Sequence, residues 1–168
     1  MIIEELLSDS DRRRFAATSE ADALRDEDAL QEAYLLGSRF DAVRSTAWLL
    51  FDCRGALQIE MGNTAVIAVR GVESIRWAGE ARTSARTQWS VVGWSPAVHA
   101  RRWSLAAAMV PSCRLEIVGR GAEFYVGDVP GCDDAPPDFL DATDEELRTG
   151  LASWSSEFDP VHASFLDL

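Results

Sequence analysis

The chain contains no lysine: its sixteen basic side chains are all arginine, set against 28 aspartates and glutamates. A high-GC genome yields that bias through codon usage, without any selection for the planar guanidinium fork. Histidine is almost as scarce. Only His99 and His162 are present, and neither has an H-x-x-x-H, H-E-x-x-H or H-x-D companion, so a histidine-based metal site has no basis. The three cysteines, Cys53, Cys113 and Cys132, are odd in number and form no C-x-x-C pair. That excludes a disulfide framework and a zinc knuckle and leaves free thiols. No run of about 18 apolar residues occurs, and Met1-Ile2-Ile3-Glu4-Glu5 lacks the basic and apolar regions of a secretory signal, so a cytoplasmic location without membrane contact is expected. There is no G-x-S-x-G elbow and no P-loop, and Gly119-Arg120-Gly121 lacks the third glycine and following helix of a dinucleotide site. No cofactor, no metal and no catalytic residue is therefore nominated.

What is present is the composition of one ordinary globular domain, 168 residues long, 47% hydrophobic and 26% charged. The net charge of −12 is unevenly spread. Residues 1–50 carry 11 acids and 6 arginines (net −5), residues 51–120 carry 5 and 9 (net +4), and residues 121–168 carry 12 and 1 (net −11). This balance opposes nucleic-acid binding and favours a basic protein partner. Asp133, Asp134, Asp138, Asp141, Asp144, Glu145 and Glu146 are the side chains expected to steer such a partner. The same polarity has an internal alternative, in which the acidic tail folds against the arginine-bearing centre.

Periodicity predicts an α+β fold in three segments. Residues 1–45 read as helical: Leu6, Leu7 and Phe15 form a sparse stripe, Ser19-Glu20-Ala21-Asp22 resembles a capping box, and a helix through Ala23, Leu24, Leu30 and Tyr34 stops at Gly37. The patch from Asp9 to Arg14 reads as a solvated face. Residues 46–128 read as a curved, mainly antiparallel meander of seven or eight strands, tending towards a partial barrel. Its strands are Trp48 to Cys53, Ala56 to Glu60, Thr64 to Val69, Val72 to Trp77, Gln88 to Trp94 ending at Ser95-Pro96, Arg102 to Val110, and a hairpin of Cys113 to Val118 with Ala122 to Val126. Thr64 to Val69 is apolar at nearly every position, as in a central strand covered on both faces. Gly62-Asn63 is a turn signal. Residues 129–168 read as an acidic loop and a C-terminal helix, capped by Thr143 with Glu146 at N3. Trp154, Phe158, Val161, Phe165 and Leu166 dock this tail on the body.

Asp52 and Arg54 form the one polar insertion in the first strands. They are read as a structural ion pair or, alternatively, as the polar anchor of a ligand or partner. Trp48, Trp77, Trp89, Trp94, Trp103 and Trp154 could line a pocket or form binding hot spots in that alternative, with Trp94 and Trp103 as anchors, although most of the six are expected to be core. Glu60, Glu73, Glu116, Glu123 and Asp128 lie on or near strands, where two could converge as a hydrolase's carboxylate pair.

Four phrases, Tyr34-Leu35-Leu36-Gly37-Ser38-Arg39-Phe40-Asp41, Gly62-Asn63-Thr64-Ala65, Phe124-Tyr125-Val126-Gly127-Asp128-Val129-Pro130-Gly131 and Trp154-Ser155-Ser156-Glu157-Phe158, resemble a family of uncharacterised small acidic proteins from high-GC bacteria. The resemblance spans most of the chain and implies no activity or site residues. Size and charge add an association with immunity proteins for secreted toxins, without a matching motif.

Overall fold

Strand periodicity wins over almost the whole chain, because apolar residues that could line a helix find better partners across a sheet. The computed structural model describes residues 1–7, 21–80 and 85–168. Nine strands form a single sheet: β1 (Tyr34–Asp41), β2 (Thr46–Asp52), β3 (Thr64–Arg70), β4 (Ser74–Gly79), β5 (Trp89–His99), β6 (Arg102–Val110), β7 (Cys113–Gly119), β8 (Gly121–Asp128) and β9 (Asp159–Asp167). Their order is β4-β7-β6-β5-β1-β2-β3-β8-β9, and every neighbouring pair is antiparallel. A 3-10 turn at Ile3–Leu7 and one α-helix, α1 (Asp144–Gly150), are the helical elements among the described residues, none of which is long and apolar enough to cross a membrane. The protein is thus mainly β.

The expected N-terminal helices are the main correction. Ser19 and Glu20 of the expected capping box, with Phe15 and the patch from Asp9 to Arg14, lie outside the described residues. From Ala21 to Ala33 the chain runs in turns. Ala23, Leu24 and Leu30 are buried as their spacing implies, but Asp28 (φ 55°) and Glu32 (φ 66°) are left-handed and break any helix. Apart from local turn bonds, backbone bonds of this segment go to β5. Asp28 N–H donates to Trp94 O (2.8 Å), Glu32 N–H to Val91 O (2.9 Å), and Val91 N–H to Ala33 O (2.9 Å). Gly37 then lies inside β1, where an added Cβ would meet Trp154 Nε1 at 3.4 Å, so it permits close approach and does not stop a helix.

Within the sheet most strand positions agree with the alternation, and the connections differ. β6 buries Trp103, Leu105, Ala107 and Met109 on one face as read. β7 and β8, expected as a hairpin, do not pair. β7 lies between β4 and β6 and β8 between β3 and β9, so Gly119-Arg120-Gly121 is a crossover between two halves of the sheet. Residues 56–60 form no strand and belong to the long β2–β3 connection. β5 continues past Pro96 to His99, because below Ser90 it pairs only with β6 and the missing N–H faces no strand on the β1 side. The tail adds β9, which the docking residues did not reveal as a strand.

The sheet curls on itself without closing: β3 touches β7, and β6 touches β8, across the interior. Between these halves, Leu49, Phe51, Ile67, Val69 and Phe124 face Trp94, Trp103, Leu105, Leu115 and Ile117. Phe51 and Trp94 meet edge-on at 5.7 Å. Trp94 and Trp103 are fully buried, each taking roughly 200 Å² from water, on the order of 5 kcal/mol of transfer free energy. A second cluster covers the outer face of β2, β3 and β8, where Leu50, Val66 and Tyr125 pack under Ile3, Leu6, Val129, Cys132, Ala152 and Phe158. The central strands are therefore buried on both faces, which explains the apolar run of β3.

Candidate functional site

At the end of β2 the chain turns out of the sheet through Asp52, Cys53 and Arg54, and a recess of about 330 Å³ opens beside this turn. Cys53, Arg54, Glu60, Asn63, Asp128, Asp133 and Asp134 contribute to its wall. Its frame is polar. Asn63 Oδ1 accepts from Val129 N–H (2.9 Å) and from the Thr64 hydroxyl (2.8 Å), while Asn63 Nδ2 donates to Val129 O (3.1 Å). Gly62, at φ +89°, fits only as glycine: a Cβ would stand 2.9 Å from the backbone N and O of Gly127.

Asp52 and Arg54 form a buried ion pair, their side chains 3% and 8% exposed. Arg54 Nε–H is shared between Oδ1 (3.1 Å) and Oδ2 (3.0 Å) of Asp52, and Nη2 also donates to Oδ2. The remaining donors cross to the C-terminal third. Nη1 reaches Asp134 O and Nη2 reaches Gly150 O, both at 2.8 Å. Arg54 therefore clamps the loop after β8 and the end of α1 onto the sheet. One Nη1 hydrogen is left, and Arg54 also lines the recess. Beneath the clamp, burial pushes the Cys132 thiol up, as it does Cys113, so both are protonated thiols at neutral pH.

The seven acidic residues singled out from sequence are distributed along this C-terminal segment. Asp133 and Asp134 line the recess beside Arg54. Asp138 caps a turn, accepting from Leu140 N–H (2.8 Å) and Asp141 N–H (3.2 Å). Asp144 pairs with Arg86, which also reaches Ala142 O. Glu146 accepts from Thr143 N–H (2.7 Å) and its hydroxyl (2.8 Å) in the expected capping box, and these bonds hold its carboxyl below the usual range, the backbone bond contributing most. The side chains of Asp133, Asp141 and Glu145 have no hydrogen-bond or ion-pair partner among the described residues.

Trp94 and Trp103 are remote from the recess. Their indole N–H groups donate to Ala23 O (2.8 Å) and Leu24 O (3.0 Å), deep in the core. Neither lines the recess beside Arg54 or the cleft beside Trp89. Trp89, another of the six tryptophans that could line a pocket, borders an open cleft of about 520 Å³ between α1 and the β1/β5 seam, together with Leu35, Phe139, Leu147, Arg86 and Arg148. Of the strand carboxylates, Glu60 and Asp128 share the recess, while Glu73 and Glu116 stand on the β4–β7 half of the sheet. Glu123 is buried on the outer face, paired with Arg70 and accepting from the Tyr125 hydroxyl (2.8 Å). The five do not converge on one point. No group of three or more His, Cys, Asp or Glu among the described residues is arranged to hold a metal ion.

Sequence reasoning passes over the parts played by Arg86 and Asn63, which also bind the segment after β8 to the rest of the chain. Asn63 reads only as part of a turn, although an asparagine beside a left-handed glycine is an available signal. No protein-family profile, curated protein or solved structure matches the chain.

Proposed function

We propose that this chain is a non-enzymatic protein-interaction module whose acidic segment, residues 133–146, engages a basic protein partner. The observation that carries the reading is a surplus of acids in one segment: residues 121–168 carry 12 acids and 1 arginine, and the side chains of Asp133, Asp141 and Glu145 have no hydrogen-bond or ion-pair partner among the described residues. The internal alternative accounts for part of the charge: Arg54 and Arg86 bind the acidic third to the sheet, mainly through its backbone and Asp144. The acids left over create a negative field that speeds encounter with a positive surface. A toxin-neutralising or regulatory role is the finer form of this reading, and a toxin gene adjoining this one would support that form over others.

The test is affinity capture from the native host with the wild-type chain and with Asp133→Arg/Asp141→Arg/Glu145→Arg. The proposal expects a basic protein held by the wild type at low salt and lost both at high salt and from the triple variant. Equal capture by both chains contradicts it, as does recovery of no specific protein.

A second reading, a small-ligand-binding domain, is favoured by one observation: the cleft beside Trp89 falls in the size range of small-molecule sites. Quenching of Trp89 fluorescence by an apolar carboxylate, abolished by Arg148→Gln, supports it; an unchanged spectrum removes it.

A further inference from the structure

Charge of the opposite sign gathers at the far end of the sheet from the acidic recess. There β6 begins at Arg102, β7 ends at Gly119 and β8 begins at Gly121, and the turn between β5 and β6 lies beside them. Glu73, Ala100, Arg101, Arg102, Arg120 and Leu168 line a cleft of about 310 Å³. Three guanidinium groups thus share one small space with a single carboxylate.

The carboxylate organises two of the three. Glu73 Oε2 accepts from Arg102 Nε–H at 2.6 Å and Oε1 from Arg120 Nε–H at 3.5 Å. The bond from Arg102 is the chief reason that Glu73 is held below the usual carboxylate range, so it is ionised at neutral pH. Both bonds use Nε. The Nη groups of Arg102 and Arg120, which supply most of the donors of each fork, take no other acceptor among the described residues. Arg101 has no partner among the described residues at all. The side chains of the cluster carry three positive charges and one negative.

The backbone adds a second observation. Ala100 (φ 47°) and Arg101 (φ 60°) are consecutive left-handed residues in the two-residue turn joining β5 to β6. Asparagine and glycine suit such a turn, and side chains like these resist it. A strained turn kept at a cluster of arginines is the pattern expected where a ligand is held.

We propose that this cleft binds a small phosphomonoester through the dianionic phosphate group, with Arg101, Arg102 and Arg120 as donors and Glu73 as the residue that positions two of them. The match is one of donors and shape: the uncommitted Nη groups of Arg102 and Arg120 and the free fork of Arg101 bind phosphate oxygens in pairs. A cleft this small takes a phosphate and little more of its carrier. The proposal is independent of the partner read from the acidic segment at the opposite end.

The test is an NMR titration of the full chain with inorganic phosphate at constant ionic strength, with acetate as the singly charged comparison. The expected result is a saturable shift at the amides of Glu73, Arg101, Arg102 and Arg120, with half-saturation in the millimolar range. Arg102→Gln/Arg120→Gln weakens binding at least about tenfold, because the forks supply charge-assisted bonds. Both residues are exposed, and the rest of the spectrum reports that the variant is folded. Arg114→Gln, at the other end of β7, leaves binding unchanged. Shifts that never saturate, an equal response to acetate, or equal weakening by Arg114→Gln each overturn the proposal.

Discussion

Replacing Arg54 by methionine removes one guanidinium and leaves three of its acceptors without their donor. The Asp52 carboxylate, at 3% exposure, loses its countercharge, and the carbonyls of Asp134 and Gly150 lose their cross-chain donor. Methionine fills comparable space, so the cavity contribution is small and the electrostatic one dominates. Breaking a buried ion pair from one side costs about 3–5 kcal/mol, a large fraction of the stability of a domain of this size. The loss has a direction: the segment from Val129 to Leu151 should loosen before the sheet does. Urea unfolding of Arg54→Met gives the magnitude, and thiol labelling of Cys132, which lies beneath the clamp, gives the place. The double variant Asp52→Leu/Arg54→Met removes the stranded charge and should regain about half of the loss or more. A single variant within about 1 kcal/mol of wild type, with Cys132 still slow to react, would refute the clamp.

Further expectations rest on separate features. Trp94→Phe and Trp103→Phe each leave a buried carbonyl, that of Ala23 or Leu24, without its donor, and should cost about 1–3 kcal/mol in a denaturant titration. Gly62→Ala forces a left-handed residue against the backbone of Gly127, so its denaturation midpoint should fall by the equivalent of more than about 1 kcal/mol. Glu73 is held low chiefly by the bond from Arg102, and Glu146 chiefly by the backbone bond from Thr143, each from an ordinary value of 4.5. Because the folded value lies below the unfolded one, their stabilisation is complete above about pH 4.5 and disappears as pH falls through the folded values. Glu146→Gln should therefore reduce the acid-side loss of stability in a pH series of urea midpoints and change little at neutral pH.

How much of this was legible in the sequence depends on whether the deciding interaction is local. The capping box at Thr143 and Glu146 is complete within four residues and forms as read. The alternation in β6 and the doubly covered run of β3 report burial directly, and both are met. Ala23, Leu24 and Leu30 also report burial, but their spacing fits a helix and a packed series of turns equally well. What decided between them was the pair of indole N–H donors on β5 and β6, 71 and 79 residues away. Likewise Gly119-Arg120-Gly121 carries every local mark of a hairpin. The alternative partners of β7 and β8, namely β4, β6, β3 and β9, appear only once the sheet is assembled. At the recess, the proximity of Asp52 and Arg54 was readable from their spacing, while the two carbonyls that Arg54 also holds lie 80 and 96 residues further along.

The absence of lysine gives the interaction proposal its most direct test. A zero-length carbodiimide joins carboxylates to amines, and this chain offers no side-chain amine, so a carboxylate-to-lysine link must run to another protein. Cross-linking in host cells, with the linked peptides located by mass spectrometry, reads the interface whatever the partner's identity. The account predicts links from Asp133, Asp141 and Glu145 to lysines of one basic protein, weakened by salt. Links that arise only from carboxylates outside residues 133–146, or none above background, would contradict it.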